Sequence, residues 1–247
     1  MTVDERIEAL RKEMENEGID AYIIPMTDYH SSEYVCDRFK CVEFISGFTG
    51  TNATVVVTKK ECILWTDGRY FIQAERELKG SEVKLYKMEV EGFPTVTEYL
   101  KKELSEGAFL GFFGKTENIE KADEYAGIAT EKKGKVVCGI DLIDRVWEDR
   151  PALNKTKTWI LRHEYSGRTA AEKISDVRKA VKEKECEGHI LTSLYDIAWL
   201  LNIRGGDIPH VPVALSYVLI NGEDVIFYVN KNKLDGTYKR ITGEIPK

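Results

Sequence analysis

The chain has 247 residues, 43% of them hydrophobic and 32% charged, with a formal net charge of −6. That length allows one or two domains, and the composition is ordinary for a folded globular protein. Lys and Arg are interleaved with Asp and Glu, which excludes the basic stripe of a dedicated nucleic-acid binder, and no apolar run approaches the ~18–20 residues needed to cross a bilayer.

The N-terminus, Met1-Thr2-Val3-Asp4-Glu5-Arg6, has neither the basic nor the apolar region of a signal peptide. Val3, Ile7, Leu10 and Met14 then recur at helical spacing, Thr2 and Glu5 have the spacing of a capping box, and Gly18 sits where a helix ends. Ala21 to Ile24 reads as a buried strand stopped at Pro25. Strands are expected over 54–57 and 62–65, a helix over 70–78 closed by Gly80, and a strand over 83–88. A helix over 95–104, a strand over 109–113, a helix over 119–132 and a strand over 136–140 follow. Such alternation predicts a mixed α/β sheet with helices packed on it.

Near Trp147-Glu148-Asp149-Arg150-Pro151 the pattern pauses, and Pro151, Asn154 and a run of Lys and Thr read as a linker. A second unit then opens as the first did, with a helix, a glycine and a strand. Thr169 and Glu172 form its capping box, and Ile174, Val177 and Val181 mark the buried face. A strand over 189–194 and a helix over 195–203 follow. Strands over 216–220 and 225–229 flank Asn221-Gly222, a hairpin signal.

Each candidate motif has an ordinary structural explanation beside the functional one. Gly47-Phe48-Thr49-Gly50 could cradle a phosphate, but it lacks a P-loop ending and leads into a strand. Asp67-Gly68 is a turn dipeptide; Arg69 after it stands at the C-terminal end of a strand, where ligands of open α/β sheets gather, and a guanidinium can grip a carboxylate or carbonyl. His30 has Ser31, Ser32 and Glu33 beside it, yet no nucleophile elbow accompanies them. Asp207 and His210 are three residues apart, too few ligands for a metal. Asp196 and Asp207 have the interval of a two-metal aspartate pair, but no histidine and glutamates follow to complete one. Five cysteines with no paired spacing read as reduced cytosolic thiols.

Three segments together carry a resemblance. They are Ala21-Tyr22-Ile23-Ile24-Pro25 with His30-Ser31-Ser32-Glu33-Tyr34; Phe44 to Gly50 leading through Val55-Val56-Val57-Thr58 to Leu64-Trp65-Thr66-Asp67-Gly68-Arg69-Tyr70; and Trp147 to Pro151 followed by Asp196 to Gly205. In order and spacing the chain resembles the N-terminal part of the three-domain Xaa-Pro aminopeptidases, relatives of creatinase and prolidase. The resemblance implies an α/β fold of two related creatinase N-terminal-like domains, each a mixed sheet flanked by helices, the second incomplete. It places them at residues 1–153 and 154–247, with the C-terminal pita-bread metallopeptidase domain absent.

The resemblance also implies what such a region does. It is non-catalytic, shapes substrate access and dimerisation, and serves removal of an N-terminal residue that precedes proline. The alternative is a stand-alone binding or oligomerisation module of the same fold. No catalytic or metal residue is expected in this chain, and manganese or another divalent metal belongs to the missing domain. Arg69 is the expected substrate-binding residue, with His30, Arg204 and His210 as candidates for lining the cleft. Expected partners are a peptide with proline at position two and a second copy of the protein, in the cytoplasm, with neither nucleic acid nor membrane. One departure stands out: Ala53 occupies a place where family members usually carry glycine, so a slightly different turn is expected there.

Overall fold

The computed structural model describes residues 1–234. The chain divides into two units after Pro151. In the first, the Thr2 hydroxyl accepts from Glu5 N–H (3.3 Å) and the Glu5 carboxylate accepts from Thr2 N–H (2.7 Å), which launches α1 (Val3–Asn16). The helix ends at Gly18, whose φ of 68° suits glycine, with Ile19 N–H returning to Met14 O at 2.8 Å.

After β1 (Ala21–Pro25) comes α2 (Cys41–Ser46). This helix is too short to announce itself by periodicity, and Gly47 is its left-handed cap (φ 77°) rather than only a turn residue before a strand. β2 (Ala53–Thr58), β3 (Cys62–Thr66), α3 (Phe71–Glu77), β4 (Val83–Lys87), α4 (Val96–Glu103), β5 (Phe109–Phe112), α5 (Ile119–Glu131), β6 (Lys135–Val137) and α6 (Leu142–Val146) complete the unit. The strand expected over 136–140 is confined to β6. Asp141 then caps α6, its carboxylate accepting from Asp144 N–H. Ala53 simply opens β2 opposite Thr66, so no left-handed residue is needed there.

The six strands run in the order β4-β3-β2-β1-β5-β6. β2 is antiparallel to both neighbours, and the other pairs are parallel. Both faces are covered. Tyr22, Ile24, Val55, Val57 and Leu64 pack with Ile7, Leu10 and Met14 of α1 and with α2 and α6. Ala21, Ile23, Val56, Ile63 and Trp65 pack with Tyr99, Leu100, Tyr125 and Ile128 of α4 and α5. Burial on both sides explains why these strands are continuous apolar runs in the sequence.

The second unit contains β7 (Trp159–Ile160), α7 (His163–Ser166), α8 (Ala170–Glu183), β8 (Gly188–Leu191), α9 (Leu194–Leu200), β9 (Ile203–Arg204), β10 (Ser216–Asn221) and β11 (Val225–Val229). One sheet has the order β11-β10-β8; β7 and β9 form a two-stranded pair. Ile174, Leu191, Ile197, Leu200, Val218 and Ile220 make its core. The hairpin is centred one residue later than Asn221-Gly222 suggests. Asn221 N–H bonds Asp224 O (3.1 Å), while the Asn221 side chain accepts from Glu223 N–H (2.9 Å). Asn221 therefore precedes the turn and braces it with its carbonyl oxygen.

The expected linker is pinned at both ends, each to its own unit. The Trp147 ring stacks on Phe44 at 4.5 Å. The Arg150 side chain is buried and donates to Asp141 Oδ2 (2.6 Å), Asp144 Oδ1 (3.0 Å) and Arg38 O (3.0 Å). Asn154 belongs to the second unit, where it donates to Gly206 O and its own carbonyl accepts from Lys233 Nζ, both at 2.5 Å. All five cysteines are thiols; Cys36, Cys41 and Cys62 are buried, Cys138 and Cys186 exposed.

Candidate functional site

Strand direction decides where a site can form. With β1, β3, β4, β5 and β6 running one way, the loops after β1, β3 and β5 gather at one edge of the first unit's sheet, together with the loop that enters antiparallel β2. His30, Glu33, Asn52, Asp67, Arg69 and Glu117 all lie in these loops.

Arg69 is exposed, and its hydrogen bonds among the described residues go to Asp67. Its Nε and Nη2 donate to the two oxygens of Asp67 at 3.0 and 2.9 Å, and its backbone N–H reaches Asp67 Oδ1 at 2.9 Å. Asn52 Nδ2 donates to the same carboxylate at 2.6 Å. The Arg69 guanidinium, then the Asn52 amide, hold the Asp67 carboxyl well below the usual carboxylate range, and Asp67 in turn raises Arg69. Glu33 is close enough for its charge to act on Arg69 as well.

The glycine-rich loop is not a phosphate cradle. Thr49 N–H and hydroxyl are spent on Glu77 (2.9 and 2.7 Å), and Phe48 N–H on Ser46 Oγ (3.2 Å). Gly50 is required for space, since a Cβ there would stand 2.2 Å from the Phe48 ring. On the β1 loop, Asp28 is buried and its Oδ1 accepts from His30 N–H (2.8 Å) and Ser32 N–H (3.0 Å), which shapes the loop that carries His30. Glu117, after β5, is pushed up to about 7, chiefly by burial. Asn52, Asp28 and Glu117 were not singled out by sequence reasoning. Only the folded sheet brings these loops to one edge.

Arg204 and His210 belong to the second unit. Arg204 Nη1 donates to Ala198 O, in the last turn of α9, and to Ile203 O of β9, both at 2.8 Å. His210 is exposed in a turn with φ 65°. Asp207 is buried; it pairs with Lys233 and accepts from Leu215 N–H at 2.7 Å. Asp196 lies in the first turn of α9. Among the described residues no three His, Cys, Asp or Glu side chains converge to hold a metal, so they do not fit a dinuclear centre. A cavity of about 780 Å³ lies at the opposite end of the first unit's sheet, between Tyr86, Tyr99, Thr58 and Glu106. It contains none of the residues expected to bind substrate, and its Asp20 and Glu61 are already paired with Lys59 and Lys84.

An open, mostly parallel α/β sheet with polar loops gathered at one edge is the class this first unit defines. The creatinase/prolidase N-terminal domain model matches residues 6–133, more than half the chain, and a second model of the same description matches residues 149–244; the chain belongs to that family. It is 39% identical over 222 residues to the Caenorhabditis elegans Xaa-Pro aminopeptidase app-1, covering 87% of this chain and 35% of that relative. To the Dictyostelium discoideum Xaa-Pro aminopeptidase 1 it is 35% identical over 248 residues, covering 97% and 39%. Among solved structures, a C. elegans X-prolyl aminopeptidase, described as a cytosolic enzyme with a di-nuclear active site, superposes with a TM-score of 0.93 at 34% identity, covering 100% of this chain and 42% of that one. The chain thus spans little more than a third of the length of these relatives. No helix among the described residues is long and apolar enough to cross a membrane.

Proposed function

We propose that the chain serves a cytoplasmic Xaa-Pro aminopeptidase as its non-catalytic N-terminal region, built from two creatinase N-terminal domains at 1–153 and 154–247. The supporting observation is the similarity to Xaa-Pro aminopeptidases across both units at a TM-score of 0.93. In this reading the peptide bond is cut at a divalent-metal centre held outside the described residues. The first unit helps to form the mouth of the active site, Arg69 grips the peptide, and His30, Arg204 and His210 line the approach. Pairing with a second copy belongs to the same reading.

A guanidinium stays protonated at any working pH, so Arg69 can orient a substrate but cannot activate water. The test compares the 247-residue chain with the product of the reading frame extended past codon 247. The extended product should cleave fluorogenic Xaa-Pro peptides with added manganese, and Arg69→Ala should raise its KM while changing kcat little. The 247-residue chain should give no turnover. Chelator-sensitive turnover by that chain would overturn the reading.

A further inference from the structure

Arg69 is exposed, yet it is held. A guanidinium has five N–H donors, and the side edge, Nε with Nη2, is spent on Asp67. A surface pair two residues apart is ordinarily loose. This one is restrained from outside, because Asn52, at the entry to β2, fixes the same carboxylate. The Tyr70 ring lies 5.3 Å from Arg69 Cζ, and the Tyr70 hydroxyl is tied to Thr51 Oγ1 at 2.6 Å. Both restraints on the guanidinium therefore run back to Thr51-Asn52. What remains is the end-on edge, where Nη1 has no hydrogen-bond partner among the described residues.

The local charge narrows what that edge can take. Asp67 already neutralises Arg69, and Glu33 adds a second negative charge nearby. A free carboxylate is disfavoured there, whereas a neutral oxygen gains directed hydrogen bonds without repulsion.

We propose that Asp67, locked by Asn52, is a positioning residue that turns the side edge of Arg69 inward and offers the end-on edge to a main-chain carbonyl of an extended peptide. This deepens the preceding reading and rests on it for the peptide, while the Asn52–Asp67–Arg69 clamp can be tested without it. The clamp is read by side-chain nitrogen NMR of the 247-residue chain, with the Arg69 Nε–H signal assigned through Arg69→Lys. Asp67→Asn and Asn52→Ala should each speed exchange of that Nε–H with water by about tenfold or more, as loss of a charge-assisted bond implies. Thermal melts should be little changed, and Asn52→Gln should restore part of the protection.

The ligand is read with two probes, Ala-Pro-Ala-Ala as its amide and as its free acid. The amide should move the Nη signals, leave Nε in place and bind at least as tightly as the acid. Asp67→Asn should shift the preference toward the acid. An Nε–H unchanged in Asp67→Asn overturns the clamp. A preference for the acid in the unaltered chain, or no Nη shift with either peptide at millimolar concentration, overturns the ligand. Neither outcome bears on whether the extended polypeptide is an Xaa-Pro aminopeptidase, which the turnover assay decides alone.

Discussion

The opening segments of the two units share a hydrogen-bond plan and differ in the cation that completes it. Thr2 and Thr169 each start a 14-residue helix through a capping box. One turn on, Arg6 and Lys173 each reach across to the next helix: Arg6 Nη1 to Phe44 O at 2.7 Å, Lys173 Nζ to Trp199 O at 2.8 Å. Each cation also lies 4.7 Å from the ring of the residue whose carbonyl it binds. Gly18 and Glu185 both take left-handed backbone past the helix end, at φ 68° and 55°. The strands β1 and β8 then each pair antiparallel with the next long strand. What differs is burial. Ile7, Leu10 and Met14 are all buried in the first unit, whereas in the second only Ile174 is, with Val177 and Val181 half-exposed. Ile23 is 0% exposed beneath α4 and α5; Ile190, at the equivalent place, is 64% exposed. Polar satisfaction thus carries the plan of each unit, and apolar burial sets how firmly each holds.

The largest expected effect separates the two helices by burial. Leu10→Ala should cost about 2–5 kcal/mol, and Val177→Ala roughly 1 kcal/mol. Hydrogen exchange of α1 and α8 amides reads the two units apart; equal costs would break the comparison.

Next comes the cation. Lys173→Ala strips the donor from Trp199 O and from Asn202 Oδ1, which accepts at 2.7 Å, and should cost about 1–3 kcal/mol. Lys173→Arg should recover most of it, because Arg6 does the same work in the first unit. Burial, then the charges of Arg204 and Arg168, lower the Lys173 pKa from 10.5. The folded state therefore releases this proton before the unfolded state does, and stability gains as pH climbs toward 10.5. Urea titrations should find that gain in the unaltered chain and not in Lys173→Ala.

The first unit has the opposite slope in a different window. Glu117 is raised from 4.5 to about 7, so the folded state holds its proton longer. Its contribution is full below 4.5 and lost as pH rises through about 7. Glu117→Gln should flatten that loss and stabilise the chain above it by on the order of 1 kcal/mol, after allowance for partial exposure. Unchanged urea midpoints would remove Glu117 from the account.

The smallest effect tests the helix ends. Glu185→Gly should stabilise, and Gly18→Ala destabilise, by about 0.5–1 kcal/mol each, measured by calorimetry. Nothing crowds a Cβ at Gly18, so backbone conformation alone is at stake there.

Much of this was legible in the sequence because it is local. Thr2 with Glu5, Thr169 with Glu172, and the apolar runs of β1 to β3 fix their elements within a few residues. α2 and α6 were not legible, since helices of 6 and 5 residues are too short to show a period. The glycine expected between α8 and β8 was misplaced: Gly188 lies inside the strand, against Ile220 O, and Glu185 bears the left-handed turn. Lys173 gave no sign of burial, because a lysine in an amphipathic helix ordinarily faces water. At the candidate site Arg69 could be picked from its position after a strand. Asn52, fifteen residues from Asp67, could not, because only the antiparallel β2–β3 register brings them together.

The cysteines give the first unit a clock. Cys36, Cys41 and Cys62 are all buried there, and burial lifts the thiols of Cys41 and Cys62 to about 12. The described part of the second unit holds only the exposed Cys186. A thiol reagent will therefore label Cys138 and Cys186 at once, then wait for the first unit to open. The slow phase, followed by mass, times the opening of one half of the molecule in the presence of the other, with no engineered probe.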